Sequence, residues 1–214
     1  MSGMTWCRNI GRVMVVGVVA ALWSGCPVTM KGPGVGPGEI GHPESGIRFP
    51  ETVQGFSRGD IREYGEEGRN LSIGYNSLNG VQPEWITFYV YPGPPMRAWG
   101  SSEDSVRVMV KRLVDGHFEQ VQREIVAAHP EAELVSETDR ELAFMGRDLV
   151  GRTALYRIQM RVGYFGRRPM LSRAEVYSFG EWMLKLRYTY APSDVENPEA
   201  GLKRFKDALR AVNP

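Results

Sequence analysis

The feature that most constrains the fold is an alternation of apolar and polar residues between positions 152 and 190. Every second residue is apolar in residues 156–162, more strongly in residues 182–190, and less regularly in residues 171–179. Successive side chains on a strand point to opposite faces, so each segment has one dry face and one wet face. Glycine-containing turns separate the segments. The pattern predicts three consecutive antiparallel strands whose dry face needs a cover.

The rest of the chain supplies further strands and the cover. Strands are predicted at residues 55–64, 71–75 and 85–91, and a strand pair at 133–136 and 141–144. A helix of 3.6-residue periodicity is predicted from the Ser101–Ser102 cap to His129–Pro130, and a second one after Asn197–Pro198. We therefore expect an α+β fold, in which the long helix and the C-terminal helix cover the dry face of a largely antiparallel sheet of six to seven strands.

The element order β-β-β-α-β-β-β-β-α resembles that of Mog1/PsbP-like domains, small α/β/α domains that recur in exported lipoproteins. The resemblance lies in the order of elements and involves no diagnostic motif. Because that group includes binding and assembly factors without a common chemistry, it implies no site residue for this chain.

The first residues carry the pattern of an export signal. Arg8 and Arg12 precede an apolar run at residues 13–23, which is too short for a permanent membrane span. The following Ser24-Gly25-Cys26 resembles the lipobox of bacterial lipoproteins, although Trp23 stands where leucine is usual. The resemblance implies lipidation of Cys26, anchoring in the cell envelope and, since Pro27 follows, the outer membrane of a host that has one.

Composition then divides the chain into three parts. Residues 1–25 are expected to be a signal peptide, 26–47 a tether rich in glycine and proline, and 48–214 a single α+β domain. Both cysteines, Cys7 and Cys26, precede the domain, so it has no disulfide and no thiol chemistry. A net charge of +1 gives no indication of nucleic-acid binding.

The residues of the domain do not form a recognisable catalytic or metal-binding motif. Its histidines are scattered: His42 is assigned to the tether, His117 to the apolar stripe of the long helix, and His129 to the end of that helix. The sequence therefore predicts no catalytic residue, no metal and no cofactor.

Charge is distributed unevenly, because residues 150–190 contain eight basic and two acidic residues. Alternation assigns five of the basic ones to the wet face of the sheet, where we expect an anion-binding surface for lipid headgroups, a cell-wall polymer or an acidic partner: Arg157, Arg161, Arg173, Lys185 and Arg187. The alternative is a solvated face that acids elsewhere balance. Trp99, in a proline-rich loop, is a second candidate contact if it is exposed.

These observations favour a non-catalytic envelope protein, exported and lipid-anchored, that binds a partner or an anionic ligand. Two alternatives stay open. An envelope hydrolase would need a pocket with convergent acid and base groups. A structural assembly factor would need a large exposed apolar patch.

Overall fold

The computed structural model describes residues 38–65, 68–77, 84–95, 102–163, 166–192 and 199–214. The elements in these ranges are, in chain order, β1 (Ile40–Gly41), β2 (Arg48–Phe49), β3 (Thr52–Val53), β4 (Phe56–Glu63), β5 (Leu71–Ser77), β6 (Glu84–Pro92), α1 (Glu103–Ala128), β7 (Glu133–Phe144), β8 (Arg147–Arg161), β9 (Arg167–Phe179), β10 (Trp182–Tyr190) and α2 (Glu199–Val212).

The predicted α+β class is confirmed. Within the described ranges the main sheet has eight strands, in the order β3-β4-β5-β6-β10-β9-β8-β7, and β1 pairs with β2 in a separate ribbon. Every pairing is antiparallel. The predicted strands at 133–136 and 141–144 are not a pair; they are the two ends of β7, which pairs along its length with β8.

Helix α1 begins and ends where its capping residues predict. The hydroxyl of Ser102 accepts a hydrogen bond from the backbone N–H of Ser105 (3.3 Å), and the backbone N–H of His129 donates to the carbonyl of Ile125 (2.8 Å). Proline at position 130 then favours an extended residue before it and stops the helix.

The two helices cover opposite faces of the sheet, so the expectation that they share one dry face is wrong. Under α1, Phe118 and Val121 pack with Ala174, Val176 and Met183; we call this side the α1 face. On the other side, the α2 face, four leucines and two aromatic residues belong to the second core: Leu184, Leu186, Tyr188, Leu202, Phe205 and Leu209.

Strand β9 explains why alternation gave the wrong result. Residues 172–179 are all buried, since one set of side chains lies under α1 and the other faces the α2 side. Positions that alternate with the apolar ones therefore do not face water here. A strand buried on both sides loses the period-two contrast from which a wet face can be recognised.

The folded domain starts before the predicted boundary at residue 48. Ile40, His42 and Ile47 are buried, and the His42 ring packs edge-on against Trp182 at 4.6 Å between centroids. The His42 Nδ1 accepts from the backbone N–H of Ser45 (3.1 Å). His42 therefore belongs to the domain and not to a tether. Residues 1–37 lie outside the described ranges, so the signal and the remaining tether stay predictions.

Candidate functional site

The five basic residues assigned to one wet face do not share a face. Strand register places Arg157, Arg161 and Arg173 on the side of the α2 core, and Lys185 and Arg187 on the α1 face. The expectation of a single exposed surface is wrong because the strand register places the alternating sets of β8 and β10 on opposite faces of the sheet.

For three of the five basic residues, an ion pair or a buried position gives the side chain a structural role. Arg157 forms an ion pair with Glu133 (2.9 Å). Lys185 pairs with Glu124 of α1 (3.2 Å) and lies over the Tyr89 ring, 4.3 Å from its centroid. Arg173 is buried within the α2 side of the sheet.

An open depression lies at the end of the sheet where α1, β8 and β9 meet. It encloses about 580 Å³, and its lining consists of Ala128, His129, Gln159, Met160, Arg161, Gly166 and Arg167. Chain connectivity brings these residues together. The end of α1 leads within a few residues into β7, whose start pairs with the end of β8, and β8 in turn pairs with the start of β9.

The charged groups of the depression are mainly cationic. Glu131 accepts hydrogen bonds from Arg167 Nη2 (3.1 Å) and from the backbone N–H of Gln159 (3.2 Å). The hydrogen bond from its own backbone N–H is the largest cause that lowers the pKa of the Glu131 carboxyl, and the contacts with Gln159 and Arg167 lower it further. Glu131 thus neutralises Arg167, whereas Arg161 forms no ion pair with any residue in the described ranges.

Arg187 lies nearby on the α1 face and is partly buried. Its Nε donates to the hydroxyl of Ser172 (3.2 Å), which also hydrogen-bonds Thr189 (3.1 Å). Burial, as the main cause, lowers the pKa of the Arg187 guanidinium. Within the described part of the chain no carboxylate pairs with it, and Glu124, whose charge it senses, is bound to Lys185.

His129 connects Arg187 electrostatically to the depression. Burial is the main cause that lowers the pKa of His129, and the positive charges of Arg187 and Arg167 lower it further against the opposing effect of Glu131. We call the group His129, Arg161, Arg167 and Arg187 the basic end. Guanidinium groups without matching carboxylates are suited to bind phosphate or carboxylate oxygens.

Sequence reasoning found part of the basic end. Arg161 and Arg187 were predicted as anion contacts on one face; the structure places Arg161 in the lining of the depression and Arg187 on the opposite face of the sheet, where its charge acts on His129. His129 and Arg167 were not predicted, although the short connection from α1 to β7 and the turn between β8 and β9 are visible in the sequence. Trp99 and Cys26 lie outside the described residues, so their predicted roles stay predictions.

A second polar cluster, on the α2 face, surrounds Glu175. This carboxylate is fully buried and accepts hydrogen bonds from Lys206 Nζ (3.0 Å) and Tyr177 OH (2.8 Å). Burial and the adjacent Glu175 charge raise the pKa of Tyr177. Because Glu175 is withdrawn from solvent and has its partners within the domain, the cluster holds α2 on the sheet and does not present a reactive group.

Neither a metal-ligand cluster nor a membrane-spanning helix occurs among the residues that the structure describes. In that part of the chain, His, Cys, Asp and Glu side chains do not gather into a group of three or more that could hold a metal ion. Its two helices are also not long and apolar enough for either of them to cross a membrane.

Comparison with known proteins does not assign the chain to a family. No protein-family model matches it. No curated protein matches its sequence either. The resemblance to Mog1/PsbP-like domains and to lipoproteins therefore stays a prediction.

Proposed function

We propose that this is an exported, lipid-anchored protein of the cell envelope that binds an anionic ligand or partner at the basic end. Export and anchoring are supported by the apolar run at residues 13–23 and by Ser24-Gly25-Cys26. Where the host has two membranes, the outer one is the proposed location. The single observation that carries the binding function is the partly buried guanidinium of Arg187, which has a hydroxyl as its partner in place of a carboxylate.

An uncompensated charge at Arg187 supports the binding of an anion. A cation withdrawn from water costs free energy unless an anion or several acceptors compensate it. Lys185 has that compensation from Glu124. Arg187 does not have it within the described residues, so a bound phosphate or carboxylate would supply what the fold leaves out.

Binding fits the basic end better than catalysis does. A hydrolase needs an acid and a base that exchange protons near neutral pH. The acid of this site, Glu131, has a lowered pKa and is bound to Arg167, so it stays ionised and holds an arginine. Val126, Leu134 and Val135 are exposed near this end, but three side chains form only a small apolar surface. An assembly factor would need a large apolar patch, so the small one favours a ligand-binding protein.

The binding function is tested by titrating the full-length protein with inorganic pyrophosphate at low salt, using calorimetry. Arg161→Gln and Arg187→Gln should each weaken binding by about tenfold, the range expected for losing one hydrogen bond to a charged group. Arg157→Gln is the matched control, because Arg157 is exposed and paired with Glu133. If all three variants bind pyrophosphate with the same affinity, the basic end does not bind the anion and the proposal is wrong.

The anchoring function is tested separately by mass spectrometry of the native protein. We expect the chain to begin at Cys26 and to carry a lipid on that residue. A native chain that begins at Met1 or Met4 and is recovered from the cell interior would contradict export.

A further inference from the structure

Three large apolar side chains are exposed beside the basic end. Val126 near the end of α1 is 48% exposed, and Leu134 and Val135 at the start of β7 are 53% and 47% exposed. We call these three residues the apolar rim. Isolated exposed apolar residues are common on protein surfaces, but a group of them next to a basic surface indicates an interaction site.

Contacts between α1 and β7 place the three residues together. Lys111 of α1 donates to Asp139 (2.8 Å), and farther along the helix Gln122 donates to Glu137 (2.7 Å). The helix therefore advances along β7 toward the start of that strand. Val126 lies one turn beyond Gln122 on the same side of the helix, which places it beside the first residues of β7.

The local backbone keeps the start of β7 exposed. Leu134 is opposite Tyr156 and Ser136 is opposite Leu155, so Val135 is an extra residue in a β-bulge. Bulges re-aim side chains at strand ends. The apolar rim and the depression share this end of the domain, because Glu133 pairs with Arg157 of β8, two residues before Gln159.

The chain also enters the domain at this end of the sheet. Gly38, the first described residue, lies against the side chain of Glu51, which precedes β3. From β3 one row of directly paired residues crosses all eight strands to the apolar rim: Thr52, Ser57, Asn76, Trp85, Thr189, Ser172, Tyr156 and Leu134.

The length of chain before Gly38 is sufficient to bring a lipid anchor to that end. Seven interstrand spacings make the row about 34 Å wide. Residues 27–37, if extended, span at most about 40 Å. A membrane that holds Cys26 can therefore reach both the β3 edge and the β7 edge of this end of the sheet.

From these observations we infer that the basic end and the apolar rim together dock the domain on an anionic lipid bilayer, the membrane that holds Cys26. This inference rests on the proposed function and names its ligand as the headgroups of anionic lipids. Arg161 and Arg167, which are exposed in the depression, contact the phosphates, while Val126, Leu134 and Val135 enter the boundary between headgroups and acyl chains. Basic residues next to exposed apolar ones are the combination that binds such a surface. Glu131 and Glu133 lie at this end too, each bound to an arginine.

The experiment measures amide hydrogen exchange of the full-length protein reconstituted in vesicles. Vesicles of phosphatidylcholine with 30% phosphatidylglycerol are compared with vesicles of phosphatidylcholine alone, with and without added inorganic pyrophosphate. We expect exchange in residues 124–136 and 157–163 to slow severalfold in the anionic vesicles only. Equal exchange in both kinds of vesicle would overturn the inference.

Matched variants separate the apolar contribution from the charge. The double variant Val126→Ser/Leu134→Ser should lose most of the protection in anionic vesicles and keep its affinity for pyrophosphate. The control Val108→Ser removes a similarly exposed valine (51%) near the other end of α1 and should leave the protection unchanged. Equal protection in both variants would show that the apolar rim does not touch the membrane.

Failure of the inference is distinguishable from failure of the proposed function. If pyrophosphate binds at the basic end but anionic vesicles give no protection, the site binds a free anion or an acidic partner and membrane docking is excluded. If neither pyrophosphate nor vesicles bind, the anion-binding function falls together with docking.

Discussion

Both faces of the sheet enclose charged side chains, and Glu175 on one face is held differently from Arg187 on the other. On the α2 face, Glu175 is fully buried and bonded to Lys206 and Tyr177. On the α1 face, Arg187 is partly buried and bonded to the hydroxyl of Ser172. Glu175 has its counter-charge within the fold, whereas Arg187 has none among the described residues.

This difference separates a structural charge from a candidate binding charge. A buried ion pair with both partners in place does not need a ligand, but removing one partner leaves a costly uncompensated charge. A desolvated cation without a carboxylate already bears part of that cost, so removing it relieves the fold and harms only the binding of an anion. The two residues should therefore respond to substitution in opposite ways.

The largest expected effect is the loss of the counter-charge on the α2 face. Lys206→Met should lower the free energy of unfolding by about 3–5 kcal/mol, because Glu175 is left charged and buried. Chemical denaturation of the full-length protein measures it. Lys203→Met is the control, since Lys203 is exposed and its pair with Asp207 contributes at most about 1 kcal/mol.

The double variant Lys206→Met/Glu175→Leu completes this test. Removing both charges should recover most of the lost stability, because an apolar pair of similar volume does not need a counter-ion. If the single variant Lys206→Met costs less than about 1 kcal/mol, Glu175 is not the buried ionised carboxylate that the comparison requires.

A second expected effect tests the packing next to Glu175. The Tyr177 ring lies so close to Gly151 on the neighbouring strand that a Cβ there would be 2.2 Å from Tyr177 Cδ1. Gly151→Ala should lower the free energy of unfolding by about 1–3 kcal/mol by displacing the ring. Gly116→Ala in α1, where the added Cβ has open space, should instead raise stability by about 0.5–1 kcal/mol.

A stability loss at Gly116 equal to that at Gly151 would show that the effect comes from glycine replacement in general. In that case the close approach of Tyr177 would not be its cause. Thermal unfolding, followed by circular dichroism, compares the two variants under the same conditions.

The third effect concerns the charge on the α1 face. Arg187→Met should leave the free energy of unfolding unchanged or raise it by up to about 1 kcal/mol, since it removes a desolvated charge and keeps the apolar stem of the side chain. Pyrophosphate affinity should fall in the same variant. Denaturation and calorimetry on one preparation give both values, and a stability loss above about 2 kcal/mol would make Arg187 structural, like Glu175.

The sequence predicted the fold well where a local pattern determines it. The alternation in β8 and β10, the Ser102 cap and the stop at His129 follow from nearest neighbours, and the structure confirms them. It did not predict which face each helix covers, because that depends on contacts distant in sequence. Arg173 and Arg187 alternate with apolar residues just as solvent-facing residues do, and only the second helix shows that neither face is open.

The candidate site was harder to predict for the same reason. Arg161 and Arg187 belong to different strands and different faces: Arg161 lines the depression together with His129, whereas Arg187 acts on His129 through its charge. The order of elements alone does place the end of α1 next to the turn between β8 and β9. The lack of a carboxylate paired with Arg187 among the described residues, by contrast, is a property of side-chain packing and has no signal in the sequence.

The smallest expected effect is a pH dependence of anion binding through His129. Burial, the charge of Arg187 from β10 and that of Arg167 from β9 lower its pKa against the opposing effect of Glu131, so the ring is neutral at pH 7. As the pH falls through that lowered value, His129 gains a proton, and pyrophosphate affinity should rise severalfold. Without ligand the sign is reversed: stability should fall below about pH 6.5, where the unfolded chain takes up the proton more readily.

Proton NMR of the full-length protein, titrated with and without pyrophosphate, measures this coupling. Linkage requires that the bound anion raise the pKa of His129. His117, whose pKa burial lowers in the same direction, lies against Tyr91 away from the depression and serves as the internal reference. Because pyrophosphate itself takes up a proton in this pH range, His129→Gln should remove only the part of the pH dependence that the ligand's own titration does not explain, while Arg161 and Arg187 keep most of the affinity at pH 7. An unchanged pH dependence in this variant would mean that another group titrates, and His129 would then only line the site.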